Sequence, residues 1–328
     1  MKQEHILKQS EVAYTQWAEQ WRRHAVEHAK YEKKSLSDFK GIGVGKAILL
    51  VANGYSFEEQ IETIKANKDN VDIMCCDKSL GHLLNNGITP TYCVVCDANV
   101  DYEKYLKPYK DQLQDTVLFI NVCGNPEWTA KGNWKSRYFF ANKDVIQSEK
   151  EFSKLSGTPN IIIAGTNVSN AMLILLTQCE TGSRENFFGY DKYILTGYDY
   201  SWKLDGNYYA FDKDAQGKDN YMKHLYFYAD DGTPMWSSGN LHFSKQWIEE
   251  YVRTFHIPVV QTAKHSTLQF GPTKDLAYQM QYRENTDDAT TLRLLKTERE
   301  KGMSILSKID YTINNIEKKH FESFLKSI

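Results

Sequence analysis

The chain has 328 residues, with 40 Lys and Arg against 42 Asp and Glu, a formal net charge of −2. That balance excludes a protein whose main task is gripping duplex nucleic acid through its phosphates, because no basic excess exists to release counterions. The length is enough to bury a full core. With a mean hydropathy of −0.57 and no apolar run near the ~20 residues that cross a bilayer, no membrane span is expected.

The chain opens on Lys2, Glu4, His5 and Lys8 without an apolar segment, so no secretory signal is read and a cytoplasmic location is expected. The six cysteines are then reduced thiols by default. Cys93-Val-Val-Cys96 has metal-site spacing, but its flanks read as a strand. Strand positions three apart face opposite ways, which favours buried thiols over a shared metal.

Residues 1 to about 38 predict a helix, with Tyr14, Trp17, Trp21, Ala25 and His28 recurring at three- and four-residue steps. Its aromatic stripe is expected to pack on the main domain. Gly41 to Lys46 falls one residue short of the phosphate-loop pattern and precedes a strand, so it reads as a lead-in. Apolar runs then mark strands at 47–52, 71–76, 92–96, 117–122, 137–140, 160–164 and 192–196, with helices between several of them. Unbroken apolar strands alternating with helices predict a parallel sheet buried on both faces. From about 198 to 240 the chain is rich in Tyr, Trp and Phe without helical or strand regularity, and reads as a long ordered insertion: a lid, or equally a small satellite core or an oligomer contact. A helix over 246–255, a strand over 257–260 and a charged helical tail from about 275 complete the pattern. The tail would cover the domain or join protomers.

The expected fold is therefore α/β: a Rossmann-like, mostly parallel sheet with helices on both faces, an aromatic-rich lid and helical terminal extensions. The expected division is a helical extension over 1–40, a nucleotide-binding transferase domain over 41–272 and a second helical extension over 273–328.

In open parallel sheets ligands bind beyond the carboxyl ends of the strands. Small or polar residues stand there repeatedly: Asn53, Gly54, Ser56, Asp77, Asp97, Asn121, Gly165, Thr166 and Asp199. A Gly after a strand admits a ligand close to backbone, and the next helix offers free N–H groups to an anion. Gly54-Tyr55-Ser56 and Gly165-Thr166-Asn167 both stand in that context, and together could hold the phosphate and sugar of one nucleotide. Neither is a GxGxxG fingerprint, which disfavours standard NAD binding.

The segment Lys46–Gln60, the strand end at Asp77 and the Gly-Ile-x-Pro … Asp97 element resemble the 6-hydroxymethylpterin diphosphokinase MptE-like domain family, which includes the motility-associated-factor (Maf) flagellin glycosyltransferases. Gly165-Thr-Asn-Val168 and Gly197-Tyr-Asp199 resemble its second block. The family's Gly-Pro-Ser-Leu stands here as Gly54-Tyr55-Ser56-Phe57. Asn53-Gly-x-Ser56, the Tyr-Ala-Phe-Asp stretch ending at Asp212 and His242-x-Ser-Lys245 also resemble the compact bacterial sialyltransferases that use CMP-sialic acid. That resemblance implies Asn53 and Ser56 at the nucleotide, Tyr209 at the leaving phosphate, His242 as general base, and Tyr200 in place of a further lid tyrosine.

Three functions follow as expectations. The first is a glycosyltransferase with a nucleotide-activated donor, of CMP-nonulosonic type, transferring with inversion to a glycan or protein acceptor by a histidine base and with no required cofactor. The second is a Mg²⁺-dependent diphosphokinase using ATP, with Asp77, Asp97 and Asp199 able to hold the metal. The third, motivated by Gly-Tyr-Ser in place of Gly-Pro-Ser, is a nucleotide-binding protein of this fold without catalysis.

Overall fold

A computed structural model describes residues 2–142, 148–162, 167–177, 188–204, 209–211, 224–229, 232–263 and 265–281. The chain divides into a unit over residues 1–282 and a second over 283–328. The expected tail helices therefore lie almost wholly outside the described residues.

The strands are β1 (Ala47–Val51), β2 (Asp72–Cys76), β3 (Tyr92–Val95), β4 (Val117–Asn121), β5 (Ser136–Asn142), β6 (Ile161–Ile162), β7 (Lys192–Thr196), β8 (Trp202–Lys203), β9 (His224–Tyr228), β10 (Pro234–Ser238) and β11 (Val259–Gln261). The helices are α1 (Lys2–His28), α2 (Ser56–Asn67), α3 (Asp77–Asn85), α4 (Tyr102–Tyr105), α5 (Pro126–Lys131), α6 (Ser148–Ser156), α7 (Val168–Thr177), α8 (Gly239–Phe255) and α9 (Leu276–Met280). Eight strands form one sheet in the order β11-β7-β1-β2-β3-β4-β5-β6, and every pairing in it is parallel.

Strand periodicity divides the core in two. Leu49, Val51, Cys75, Cys93 and Ile120 enter one apolar cluster; Ile48, Leu50, Met74, Val94 and Phe119 enter the other. Alternate residues thus face opposite layers, and a fully buried Leu or Ile contributes roughly 2 kcal/mol in each. Cys93 and Cys96 separate in the same way. Among the described residues there is no cluster of three or more His, Cys, Asp or Glu able to hold a metal. Helix α7 is apolar on all sides and buried from Asn170 to Thr177, as a helix inserted into a core must be.

Helix α1 is docked. His28 is fully buried; its Nδ1–H donates to the Val122 carbonyl at 2.9 Å and Thr129 Oγ1 pairs with its Nε2 at 3.2 Å. Burial holds its pKa down at about 4, so the ring is neutral. Trp21 meets Phe152 edge-on at 5.9 Å, and Arg22 pairs with Glu151 at 2.5 Å.

The insertion is more regular than its sequence suggests. Its described parts include a three-stranded antiparallel sheet in the order β8-β10-β9. Its strands are too short and too aromatic on both faces for a clear alternation. Helix α8 begins at Gly239 instead of Gln246, because Ser238 caps it by accepting from Leu241 N at 3.3 Å. No described helix is long and apolar enough to cross a membrane.

Candidate functional site

The chain runs outward from β1 to β6 on one side and returns through β7 on the other. Strand order therefore reverses at the β1/β7 pair, the topological switch point where open parallel sheets form their crevice. A cavity of about 460 Å³ lies there. Asn53 and Gly54 after β1, Asp77 and Lys78 after β2, Asp97 after β3, and Gly197 to Ser201 after β7 line it.

The loops after β1 and β7 interlock. Gly54 N donates to the Gly197 carbonyl at 2.9 Å, and Gly197 N donates to Ser56 Oγ at 3.1 Å. A side chain on Gly54 would put Cβ 2.4 Å from Asp199 Oδ2 and from the Gly197 carbonyl. Gly197 has φ +70°, and a Cβ there would sit 2.3 Å from the Ala52 carbonyl, so both positions require glycine. Asp199 is buried and accepts from Ser56 N at 2.9 Å and Ser56 Oγ at 2.5 Å. Burial pushes its pKa up to about 6 against the pull of those two bonds. The first amide of α2 is thus already satisfied by a carboxylate of the chain itself. Ser56 is buried and absent from the cavity lining, with its hydroxyl spent on the interlock. This differs from the expectation that Ser56 meets a nucleotide.

Asn53 is placed differently. It lines the cavity, and its Oδ1 is buried without a hydrogen-bond partner. A buried acceptor left open in a cavity wall is suited to a ligand donor.

The first turn of α3 supplies the charges. Burial pushes the Asp77 carboxyl up to about 6; Lys78 draws it down, and nearby Asp97 adds to the rise. Lys78 Nζ donates to Tyr209 Oη at 3.2 Å and lies 4.4 Å from that ring's centre. Burial works against the lysine's charge, but Tyr209 and Asp77 outweigh it and raise its pKa, so the ammonium stays charged. Tyr209 is held over the crevice by its neighbours: Ala210 N donates to the Asn53 carbonyl at 3.1 Å, and Phe211 N donates to Glu58 at 2.9 Å. Asp97 is exposed at the cavity mouth, with Oδ1 accepting from Asn99 N at 2.8 Å.

Tyr200 lines the cavity with φ +53°, but its hydroxyl donates to buried Asn170 Oδ1 at 2.5 Å and fastens α7. Gly165, Thr166 and Asp212 lie outside the described residues. Asn167 caps α7 through Asn170 N at 2.9 Å and lines the cavity. Asn121 is buried, donates to Asn142 Oδ1 at 2.6 Å and borders a second, adjoining cavity. His242 is not brought to the site. Its neighbour Leu241 lines the cavity, whereas the imidazole stacks on Phe227 at 5.0 Å and its Nε2 pairs with Gln246 at 3.0 Å. Lys245 turns to Glu249 at 3.4 Å. Lys78 is a charged cavity residue that the sequence reading passes over; its signal is a lysine directly after a strand-end aspartate, in the first turn of a helix.

No curated protein matches the chain. The solved structure of a Maf glycosyltransferase from Magnetospirillum magneticum AMB-1 is similar, with a TM-score of 0.56 at 14% identity. The match covers 86% of this chain and 42% of that one, so the chain spans less than half of that protein's length, and the likeness is one of fold. Residues 22–203, more than half of the chain, match the model of the family described as 6-hydroxymethylpterin diphosphokinase MptE-like, and the chain belongs to that family.

Proposed function

We propose that the chain is a glycosyltransferase whose nucleotide-activated donor lies in the cavity at the switch point. The carrying observation is the pairing of Lys78, in the first turn of α3, with Tyr209 of the insertion. An ammonium and a phenol converge on the cavity wall, where a departing phosphate needs donors. Asn53 Oδ1 is the open acceptor for the nucleotide's own N–H or hydroxyl groups. The donor class implied by the sialyltransferase resemblance, a CMP-linked nonulosonic acid, releases a single phosphate, and this modest set of donors matches that charge.

In the reaction an acceptor oxygen bonds to the anomeric carbon as the carbon–oxygen bond to phosphate breaks. The electron pair leaves on the phosphate oxygen, against Lys78 and Tyr209, and the acceptor proton goes to a base. His242 is not on the cavity wall, so the proton falls to a carboxylate that is, Asp77 or Asp97.

The family description favours a second reading. Asp77 and Asp97 are two carboxylates on one wall, enough to hold a Mg²⁺ whose other ligands are water and phosphate oxygens. Such an ion would neutralise the phosphates of ATP during diphosphate transfer to a hydroxymethyl acceptor. Thermal shift with CMP, UDP, GDP and ATP, each with and without Mg²⁺, separates the readings. Stabilisation by a pyrimidine nucleotide independent of Mg²⁺ is expected. A shift with ATP and Mg²⁺ alone overturns the glycosyltransferase reading. Nucleotide binding without turnover of any sugar donor leaves the non-catalytic protein.

A further inference from the structure

We propose that the second cavity binds the pyranose that accepts the transferred sugar, and that Asp97 takes the proton from its hydroxyl; this rests on the transferase reading above. The cavity is about 310 Å³, bounded by Trp17 and Trp21 of α1 and by Asp97, Asn99, Asn121 and Asn142. It shares Cys96, Asp97 and Asn142 with the first cavity. The two spaces therefore meet at one carboxylate, the arrangement a two-substrate transfer needs.

Size and chemistry separate the two. About 310 Å³ is near the lower limit of small-ligand sites and suits one sugar ring. No Lys or Arg lines it among the described residues, and Asp97 contributes a carboxylate, so a phosphate is not its natural occupant. Indole rings accept the C–H face of a pyranose, and amides with a carboxylate serve its hydroxyls. Those amides are already oriented. Asn121 donates to Asn142 at 2.6 Å, and Gln20 donates to Asn99 at 2.9 Å, leaving further donor and acceptor capacity on each asparagine. Trp21 is fixed edge-on by Phe152, while Trp17 is half-buried and has no ring partner among the described residues. No cation pairs with Asp97 among the described residues, so its carboxylate is open to a hydroxyl.

In the step, the acceptor O–H proton passes to the Asp97 carboxylate as that oxygen bonds to the anomeric carbon in the first cavity. The bond to the donor phosphate breaks, and the nucleotide leaves with the electron pair.

The test titrates the full chain with methyl β-D-galactopyranoside, methyl α-D-glucopyranoside and N-acetylglucosamine at millimolar concentrations, followed by saturation-transfer NMR and tryptophan fluorescence. At least one pyranoside should bind. Trp17→Ala should weaken it by ~10-fold or more, and Trp17→Phe should restore most of the loss, with circular dichroism unchanged. With CMP-N-acetylneuraminic acid as donor, Asp97→Asn should cut transfer ~10²-fold while CMP and pyranoside binding persist. No pyranoside binding by the native chain, or binding indifferent to Trp17→Ala, overturns the acceptor site; full transfer by Asp97→Asn overturns its role as base. Failure of the transferase reading appears elsewhere, as a thermal shift with ATP and Mg²⁺ alone, whatever the sugars do.

Discussion

Ser56 and Asp199 stand 143 positions apart, yet the serine gives the aspartate both its backbone N–H, at 2.9 Å, and its hydroxyl, at 2.5 Å. The amino end of α2 is thereby closed by an internal carboxylate, whereas at the next helix, α3, Lys78 lines the cavity.

The interlock sets the first prediction. Gly54→Ala would drive Cβ against Asp199 Oδ2 and the Gly197 carbonyl, neither of which is a flexible chain end. A destabilisation of about 2–4 kcal/mol is expected from overpacking against backbone, with weakened nucleotide binding, measured by urea denaturation and CMP titration. Gly87→Ala is the comparison: Gly87 has φ +69°, but nothing lies within 4 Å of the added Cβ, so the backbone strain of about 1 kcal/mol should appear without overpacking.

The buried carboxyl of Asp77 sets the second. Its folded pKa of about 6 lies above the ordinary 3.8, so the folded state binds the proton more tightly. Stability from this group is full below about pH 4 and declines as pH rises through 6, by on the order of 3 kcal/mol. Asp77→Asn removes that loss. Its stability relative to the native chain should grow between pH 4 and 7, while transfer falls. A difference flat with pH in paired denaturation curves would show that Asp77 ionises without penalty.

His28 has the opposite sign. Its pKa is lowered from 6.5 to about 4 by burial, so stability is full above pH 6.5 and is lost as pH falls towards 4. His28→Gln should narrow the gap to the native chain over that window. Protease accessibility of α1 should rise in acid in the native chain and vary less in the variant.

The phosphate pair gives the fourth. Lys78→Met should lower kcat/KM by ~10²- to 10³-fold, as removal of a charge-stabilising donor does, and Tyr209→Phe by ~10-fold. His242→Ala should leave transfer within about threefold, because the imidazole is engaged with Phe227 and Gln246. A loss of ~10² there, with nucleotide binding intact, would return the base to the imidazole.

Much of the sheet was legible because each strand is a continuous apolar run ending in Asn, Asp or Gly, a pattern that needs no tertiary information. The strand ends at Asn53, Asp77, Asp97 and Asp199 were therefore found. Which of them face a ligand was not legible, since this depends on partners far along the chain: nothing local distinguishes Ser56, which is consumed by Asp199, from Asn53, whose Oδ1 is open. That His242 lies off the cavity lining was hidden for a related reason. A serine cap at Ser238 starts α8 earlier and carries the ring round towards Phe227. The antiparallel strands near Tyr226 and Trp236 were hidden because two-faced aromatic strands lack alternation. Their spacing marks Trp17 and Trp21 as packing residues, which Trp21 partly is. That they also wall a cavity follows only once α1 is laid beside the loop after β3.

The lacing of the loop after β1 to the loop after β7 has a bearing on biosynthesis. Most of the sheet is made before the ribosome reaches residue 199, yet the crevice cannot take shape until that residue arrives. A nascent chain released earlier would own most of the sheet and no crevice. The matched family segment, which ends at residue 203, reaches just far enough to include both halves of the lace.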